Sequence, residues 1–261
     1  MRPRWRLRLY PTARQLSAFA LLAGVLSAGS WAPSGCSAEE PDAQAGGTAA
    51  AELPPPLSEY LGREIAPTMG YQGAPWLIRA TREKEESCDE LLAALDIEPG
   101  QVVCDLGCGN GFYTLQLAEL VGSEGRVLAV DIQPEMLSLL DARAKEADVE
   151  NVEPVLSTVI DPQLPAGELD LVLLVDVYHE FSHPVHMLRA LRESLKPEGR
   201  IALAEFRLED PTVPIKRLHK MSKEQILKEY TANGLELAAE YDELPWQHLM
   251  FFTRAKEPPD L

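Results

Sequence analysis

From residue 57 onward, short apolar runs of strand length alternate with longer stretches in which apolar positions recur with helical spacing. This alternation is typical of a sheet whose strands are joined by helices. The predicted strands of this region are 102–105, 126–131, 152–157, 169–175 and 200–205, and the predicted helices between them are 112–121, 134–147 and 184–195. Because such helices return the chain to the same end of the sheet, we predict parallel strands with right-handed crossovers, which is an α/β, doubly wound fold.

The chain after residue 205 departs from this order. A helix at 222–232 precedes two further strands, 235–241 and 248–254. About six residues join these two strands, too few for a parallel crossover, so the last strand must run antiparallel. The predicted sheet is therefore mostly parallel and seven-stranded, with an antiparallel last strand. Ahead of the first strand, residues 83–95 are predicted to form one amphipathic helix and residues 71–77 a loop.

The N-terminal segment differs from the rest of the chain. Basic residues at its start are followed by an apolar run at 16–28, which is the order of a secretory signal peptide. The basic residues are Arg2, Arg4, Arg6, Arg8 and Arg14. Ser34-Gly35 before Cys36 resembles a bacterial lipoprotein cleavage site, in which Cys36 would be lipidated, although Pro33 departs from the aliphatic residue usual there.

We therefore predict a signal peptide at 1–35, of the lipoprotein type if Cys36 is lipidated, a flexible linker at 36–56 and one domain at 57–261. The predicted location is outside the cytoplasm, with membrane anchoring at the cell envelope through Cys36 or the N-terminal hydrophobic segment. An uncleaved anchor and cleavage after a small residue such as Ala28 are the alternatives. If the segment is not a functional signal, the chain is cytoplasmic.

Composition narrows the choice of partners. The chain has 41 acidic and 24 Lys or Arg residues, a formal net charge of -17. Such a surface repels phosphate backbones, so we predict no nucleic-acid partner. The spacing of Cys36, Cys88, Cys104 and Cys108 matches neither a zinc ribbon nor a disulfide scaffold. Cys104 in an apolar strand and Cys108 in a glycine-rich turn are predicted to be free thiols.

A glycine-rich turn follows the first predicted strand, with the sequence Asp105-Leu106-Gly107-Cys108-Gly109-Asn110-Gly111. Its glycines let the backbone turn sharply, and the helix that follows offers free N–H groups and a positive dipole end to a carboxylate. Asp105 can face an ammonium group, directly or through water. Asp131, at the end of the second strand, is placed to accept hydrogen bonds from ribose hydroxyls. Taken alone, a glycine-rich turn is also an ordinary strand-to-helix connection.

Residues 102–112, together with Asp131 and the reversed last strand, resemble the class I S-adenosylmethionine-dependent methyltransferase family. The resemblance implies the cofactor S-adenosyl-L-methionine. A group of uncharacterised bacterial members also carries Asp-Val-Tyr-His-Glu-Phe, which stands here at 176–181. The predicted cofactor-binding residues are Asp105, Gly107, Cys108, Gly109, Asn110, Gly111, Asp131, Ile132, Thr158, Val159 and Asp176. Thr158 and Val159 are assigned to the adenine by their place after the third strand.

Candidate catalytic residues follow the fourth and fifth strands and the turn before the last one. In an open α/β sheet ligands bind outside the carboxyl ends of the strands, so these residues can meet at one edge. Methyl transfer needs a positioned nucleophile and often a base. His179 is the first choice for the base and His248 the second, with Glu205 beside them. Alternatively, either histidine only holds loops together.

Residues 179–183 also match the zinc-protease pattern His-Glu-x-x-His. That pattern needs a continuous helix so that both histidines share a face. Here it follows a buried strand, and Pro184 disfavours helical geometry at His183, which is more typical of a helix cap. No metal site is predicted.

The function predicted from the sequence is methylation of a small molecule by an enzyme that uses S-adenosylmethionine. The segment 209–221, between the fifth strand and its helix, is by resemblance a substrate lid, or else a surface loop. The main alternative is a non-catalytic S-adenosylmethionine-binding or sensor module of the cell envelope. A nicotinamide-dependent dehydrogenase and a zinc hydrolase are further alternatives. The sequence does not identify the acceptor or the oligomeric state.

Overall fold

In the computed structural model, the described part of the protein is residues 53–256 together with the backbone of a two-residue strand, β1 (Arg8–Leu9). The predicted signal peptide and most of the predicted linker, including Cys36, otherwise lie outside the described residues. Among the described residues, none of the helices is both long and apolar enough to cross a membrane.

The remaining strands are β2 (Glu59–Tyr60), β3 (Arg63–Glu64), β4 (Val102–Leu106), β5 (Arg126–Asp131), β6 (Val152–Leu156), β7 (Leu169–Val175), β8 (Leu195–Phe206), β9 (Leu235–Tyr241) and β10 (Gln247–Arg254). The α-helices are α1 (Ala74–Leu77), α2 (Arg82–Glu86), α3 (Cys88–Ala94), α4 (Phe112–Val121), α5 (Pro134–Glu146), α6 (Pro184–Ser194) and α7 (Lys223–Ala232). Pro134 and Pro184 begin α5 and α6, at the position where a missing N–H costs least.

The main sheet has the strand order β1-β9-β10-β8-β7-β4-β5-β6. Neighbouring strands among β4 to β8 pair in parallel, whereas β10 pairs antiparallel with both β8 and β9. Apart from the short edge strand β1, this is the predicted seven-stranded, mostly parallel sheet with an antiparallel last strand, and the fold prediction is confirmed. A separate hairpin of β2 and β3 lies between β1 and β4 in the chain.

The sheet is covered on both faces, because successive side chains of a strand point to opposite sides. Along β7, Leu171 and Leu173 pack with residues of α3 and α4, such as Leu91 and Leu117. The intervening residues of β7 pack on the other side, in a cluster that includes Leu188 of α6. The central strands β4, β5 and β7 are mostly apolar because both of their faces are buried.

Two predicted elements ahead of β4 differ from the structure. The predicted helix 83–95 is two helices, α2 and α3, because Ser87 between them adopts a left-handed conformation with φ 50°. The helical spacing of apolar residues continues through both helices, so it does not reveal a single residue at which the chain bends. The predicted loop 71–77 contains a 3-10 turn (Tyr71–Gly73) followed by α1.

The fifth predicted strand begins earlier than expected. β8 starts at Leu195, directly after α6, rather than at residue 200. Gly199 lies where a Cβ would come within 2.5 Å of the Leu169 carbonyl oxygen, so only glycine lets β8 approach β7 this closely. Gly199 therefore marks a close contact between strands rather than the end of a helix.

Candidate active site

The glycine-rich turn lies at the carboxyl end of β4, between that strand and α4. Gly107, Gly109 and Gly111 have φ angles of 75°, 55° and 82°, a left-handed conformation that favours glycine. The N–H groups of Gly107 and Cys108 donate to the Val130 carbonyl at 2.8 and 3.0 Å, which fixes the turn against β5. A Cβ at Gly107 would overlap the Val177 side chain. The turn therefore requires glycine for both its backbone angles and its close contacts.

Asp131 joins this turn to the next strand end. Its Oδ2 accepts the N–H of Gly109 at 3.0 Å, and its Oδ1 accepts the N–H of Gln133 at 2.9 Å. Burial raises the pKa of Asp131, although these two N–H groups oppose the shift. The carboxyl group is thus held in place from both sides at the edge of a cavity.

The cavity has a volume of about 450 Å³ and opens along the carboxyl ends of β4, β5 and β7. Eight of the predicted site residues line it: Gly107, Gly109, Asp131, Ile132, Thr158, Val159, Asp176 and His179. Four predicted cofactor residues do not line it, namely Asp105, Cys108, Asn110 and Gly111. These four residues are buried or lie at the start of α4. In the structure they therefore stabilise the turn rather than line the cavity.

The contacts of these four residues explain their position. Asp105 accepts the hydroxyl of Thr114 at 2.6 Å, and Asn110 donates its side-chain amide to the Ala74 carbonyl at 3.0 Å. Cys108 packs with Ala129 and Leu140. Asp105 was predicted to face the cofactor's ammonium group, whereas the structure turns it toward α4. The free thiols predicted at Cys104 and Cys108 are present, and both are buried.

Asp105 gives a first testable prediction, for the cofactor-free protein. Burial raises its pKa to about 6, against the pull of Thr114 and Arg82. A carboxyl group with a higher pKa in the folded than in the unfolded chain stabilises the fold less as the pH rises between those two values. From pH 4 to pH 6, we therefore expect the wild type to lose on the order of 2 kcal/mol of unfolding free energy relative to Asp105→Asn.

Urea unfolding of both proteins across this pH range measures that difference. Asp141→Asn, at a residue whose side chain is 52% exposed, is the control for general effects of acid. A difference between wild type and Asp105→Asn that stays constant from pH 4 to pH 7 would contradict the prediction.

At the other end of the cavity, His179 lies on a 3-10 turn (Tyr178–Glu180) after β7. Glu205, near the end of β8, accepts the His179 backbone N–H at 3.1 Å and contacts its ring Nδ1 at 2.6 Å. Because a carboxylate can only accept, the proton of the neutral ring lies on Nδ1, and Nε2 is the acceptor atom, 3.1 Å from His219 Nδ1. Burial lowers the pKa of His179, but the adjacent Glu205 outweighs burial, and the net shift is upward.

A buried ion pair holds this turn in place. Arg63 on β3 donates to both carboxylate oxygens of Glu229, at 2.7 and 2.9 Å, and also to the His179 carbonyl at 3.0 Å. Glu229 accepts the Tyr178 hydroxyl at 2.7 Å as well. The backbone on which His179 stands is therefore tied to β3 and α7 by charged hydrogen bonds, which are stronger than neutral ones.

His248 and Glu205 are direct partners in the register of β10 and β8, but the two side chains have different roles. His248 Nε2 contacts Glu209 at 2.8 Å, and His248 does not line the cavity. Of the three predicted catalytic residues, His179 lines the cavity, Glu205 contacts its ring from behind, and His248 does neither. Arg207, directly after β8, donates to the carbonyls of Asp242 and Leu244 in the turn before β10 and to that of Gln247 at its start.

Asp176 is the polar residue of the cavity with an unused acceptor. Its backbone is left-handed, with φ 52°, and its Oδ2 accepts the Gln247 side-chain amide at 2.7 Å. Its Oδ1 is buried and has no hydrogen-bond partner within residues 53–256. Burial, together with nearby Glu86 and Glu205, raises its pKa well above the usual range. A buried acceptor of this kind is a position for a ligand donor.

Two residues that line the cavity, Arg82 and His219, were not predicted from the sequence as site residues. Arg82, on α2, lines the cavity while it donates to Glu86 at 2.8 Å and to the Leu77 carbonyl at 2.7 Å. His219, in a 3-10 turn (Arg217–His219) of the segment predicted as a lid, also lines the cavity. For His219, the sequence did offer one indication of a place in the site, namely that its segment follows the fifth strand. Arg82 precedes the first strand of the sheet, and no local pattern marks it.

The pattern His-Glu-x-x-His does not form a zinc-protease helix. His179 and Glu180 belong to the 3-10 turn, Phe181 is extended, and His183 is the N-cap of α6. His183 contacts the Ser182 hydroxyl at 2.9 Å. The two histidines are therefore not on one helical face, as Pro184 led us to predict.

Comparison with known proteins places this geometry in a family. The model of a methyltransferase domain family matches residues 97–250, more than half of the chain. A demethylmenaquinone methyltransferase of Listeria welshimeri is 27% identical over 125 residues, which cover 48% of this chain and 52% of that protein. An uncharacterized transposon protein of Streptomyces fradiae is 33% identical over 115 residues, covering 44% of this chain and 33% of that protein. The chain thus spans about half the length of the first relative and a third of the second.

Solved structures share the fold. A SAM-dependent methyltransferase from Aquifex aeolicus has a TM-score of 0.67 and 22% identity, covering 71% of this chain and 98% of that one. A TehB-like SAM-dependent methyltransferase from Corynebacterium glutamicum has a TM-score of 0.52 and 16% identity, covering 70% and 97%. The predicted fold is confirmed: the chain belongs to the methyltransferase domain family, and its fold is that of the class I, S-adenosylmethionine-dependent type.

Proposed function

We propose that this methyltransferase transfers the methyl group of S-adenosylmethionine to a small-molecule acceptor that binds beside His179. The proposal rests on one observation: the glycine-rich turn, Asp131 and the ring of His179 all line the same cavity. Cofactor and acceptor must meet at such a distance that the two reacting atoms are nearly in contact. A cavity that is continuous between a cofactor end and a polar end meets this requirement.

The cofactor end fits S-adenosylmethionine in its residues. Gly107 and Gly109 let the ligand approach the backbone, Asp131 offers acceptors for ribose hydroxyls, and Thr158 and Val159 line the part assigned to adenine. The unused Oδ1 of Asp176 would accept the ammonium group, the role that the sequence had suggested for Asp105. When bound, S-adenosylmethionine supplies an electrophilic methyl group on a sulfonium.

The acceptor end combines apolar walls with one polar group that can receive a proton. Phe181, Phe206 and Ile215 line the cavity with His179. Glu205 holds His179 by its Nδ1, so that Nε2 is the atom able to accept a proton from a hydroxyl or amine of the acceptor. Glu205 also stabilises the imidazolium that this transfer forms. His179 is therefore the proposed base, with Glu205 as its positioning residue.

The net charge of the chain and its similarity to one relative favour a small acceptor over a macromolecule. With a formal net charge of -17, the chain repels nucleic acids and acidic surfaces. The relative from Listeria welshimeri is named for methylation of demethylmenaquinone, a small molecule. Both facts support a small-molecule acceptor for this chain, and neither identifies it.

We also propose that the chain is exported and held at the cell envelope through Cys36 or the N-terminal hydrophobic segment. The support is the basic start and the apolar run that follows it. S-adenosylmethionine is made in the cytoplasm, so an exported enzyme would depend on a supply across the membrane. A binding or sensor module is the alternative that this location would favour.

Calorimetric titration of the full-length protein with S-adenosylmethionine tests the cofactor, with NAD titrated in parallel. Incubation with methyl-labelled S-adenosylmethionine and separate cytoplasmic and envelope extracts then tests the reaction. We expect binding of S-adenosylmethionine alone and a labelled product of low molecular mass. Cofactor binding without a labelled product in either extract would favour the sensor module, and no cofactor binding would overturn the proposal.

A further inference from the structure

Three side chains at the acceptor end of the cavity place possible metal-ligand atoms close together. His179, Glu180 and His219 each present one such atom, and these atoms all lie within 4.8 Å of one another. All three residues also line the cavity. Two imidazoles and a carboxylate are a ligand set that binds Zn²⁺ and related transition metals.

The spacing of the two ring nitrogens is close to that of ligands of a tetrahedral ion. His179 Nε2 and His219 Nδ1 are 3.1 Å apart, and His179 Nε2 is 3.9 Å from Glu180 Oε1. Two nitrogens at ~2.0–2.1 Å from a tetrahedral zinc ion lie roughly 3.3 Å apart. The nitrogens are therefore at the spacing of zinc ligands, and binding requires both rings to turn from their mutual hydrogen bond toward the ion and the Glu180 carboxylate to move closer to them.

The surroundings orient these ligands as in known metal sites. Glu205 contacts His179 Nδ1 at 2.6 Å, which fixes the ring and leaves Nε2 as the donor. A carboxylate behind a ligand histidine is the usual arrangement around protein-bound zinc. Glu180 Oε1 accepts the Met69 N–H at 3.1 Å, so the third ligand is also held by a hydrogen bond.

We propose that His179, Glu180 and His219 bind a single transition-metal ion such as Zn²⁺, with a fourth coordination position open to the cavity. The set differs from the His-Glu-x-x-His pattern because its second histidine comes from the segment after β8 rather than from residue 183. In the metal-free protein, a proton on His219 Nδ1 would lie between the two rings. When the ion binds, this proton moves to His219 Nε2. The site does not depend on the proposed methyl transfer.

Metal binding and proton transfer exclude each other at His179. Both use the Nε2 lone pair, so the metal-bound protein has no free base at this position. An ion with an open position would instead contact an acceptor hydroxyl directly and favour its deprotonated form. Metal-free and metal-bound protein therefore differ in which group faces the acceptor.

Metal binding can be measured without cofactor or acceptor, so the outcome is independent of the proposed function. Metal-free full-length protein is titrated with Zn²⁺ against a chromophoric chelator, and Co²⁺ binding is followed by its visible absorption. We expect one tight equivalent per chain and the strong absorption of tetrahedral Co²⁺. His219→Ala should weaken binding by at least about tenfold, since even partners behind the ligands contribute that much.

Two further variants complete the experiment. Glu180→Gln removes a charged ligand and should also weaken binding, whereas His186→Ala, which removes an imidazole on α6 outside the cluster, should not. Circular dichroism checks that each variant is folded. If His219→Ala and His186→Ala bind Zn²⁺ as tightly as the wild type, or if Co²⁺ shows only octahedral absorption, the site does not exist and the two rings share only a hydrogen bond.

Discussion

Gly107→Ala is expected to lower the affinity for S-adenosylmethionine by about a hundredfold or more, so that binding is no longer measurable. The reason is that the added Cβ places ~3 kcal/mol of steric and backbone strain on the cofactor turn. Gly107 has φ 75°, and a Cβ there would overlap Val177, which lines the cavity. Val177 is short and β-branched, so it cannot rotate away without moving the backbone. The turn must therefore open, which displaces the N–H groups and the cavity wall together.

Gly167→Ala is the matched control for this change. Gly167 has nearly the same backbone angle, φ 71°, but a Cβ there would meet nothing within 4 Å. Both variants should lose about 1 kcal/mol of stability from left-handed strain, and only Gly107→Ala should lose the cofactor. Calorimetry at a temperature where circular dichroism shows both variants folded makes the comparison. Equal cofactor affinity in the two variants would show that the turn does not contact the cofactor.

The second large effect is expected at His179. His179→Asn should lower methyl transfer by about 10²–10⁴-fold while the affinity for S-adenosylmethionine stays unchanged, because the base is lost and the cofactor end is intact. Asparagine is chosen because its amide can still donate to Glu205, so no buried carboxylate is left without a partner. Rates are measured with methyl-labelled cofactor and the extract that gives a product with the wild type.

His248→Asn is the control, because His248 was the other candidate base and does not line the cavity. Its contact with Glu209 is structural in our proposal, so the variant should retain the rate to within a few fold. Equal losses in the two variants would assign both histidines to the structure of the loops. A loss confined to His248→Asn would overturn the assignment of the base.

Local patterns predicted much of the scaffold. The bounds of β5, β7, β9 and α4 agree with the structure to the residue, since strand length, helical spacing and turn residues are all local properties. The glycines at 107, 109 and 111 were identified for the same reason: left-handed backbone angles are required by the turn itself. Helix breaks at single residues, such as Ser87, were missed because periodicity averages over several positions.

The predicted site was less complete, and the residues that decide it are distant in the chain. Asp105 and Asp176 are both acidic residues at strand ends, and the sequence favoured Asp105 for the ammonium group because it precedes the glycines. The structure pairs Asp105 with Thr114 and leaves an acceptor of Asp176 unused. Which of two similar carboxyl groups faces a cavity depends on side-chain packing, and no spacing rule encodes it.

The sequence by itself determined the class of fold, the reversed last strand and the position of the cofactor turn. These follow from periodicity, from connection lengths and from the stereochemistry of glycine, all of which act over a few residues. Only the tertiary structure decided that His179 meets Glu205, 26 positions away, and His219, 40 positions away, while His248 turns to Glu209. Such meetings depend on the order of strands in the sheet and on the path of the segment after β8, and both are set by packing of the whole domain.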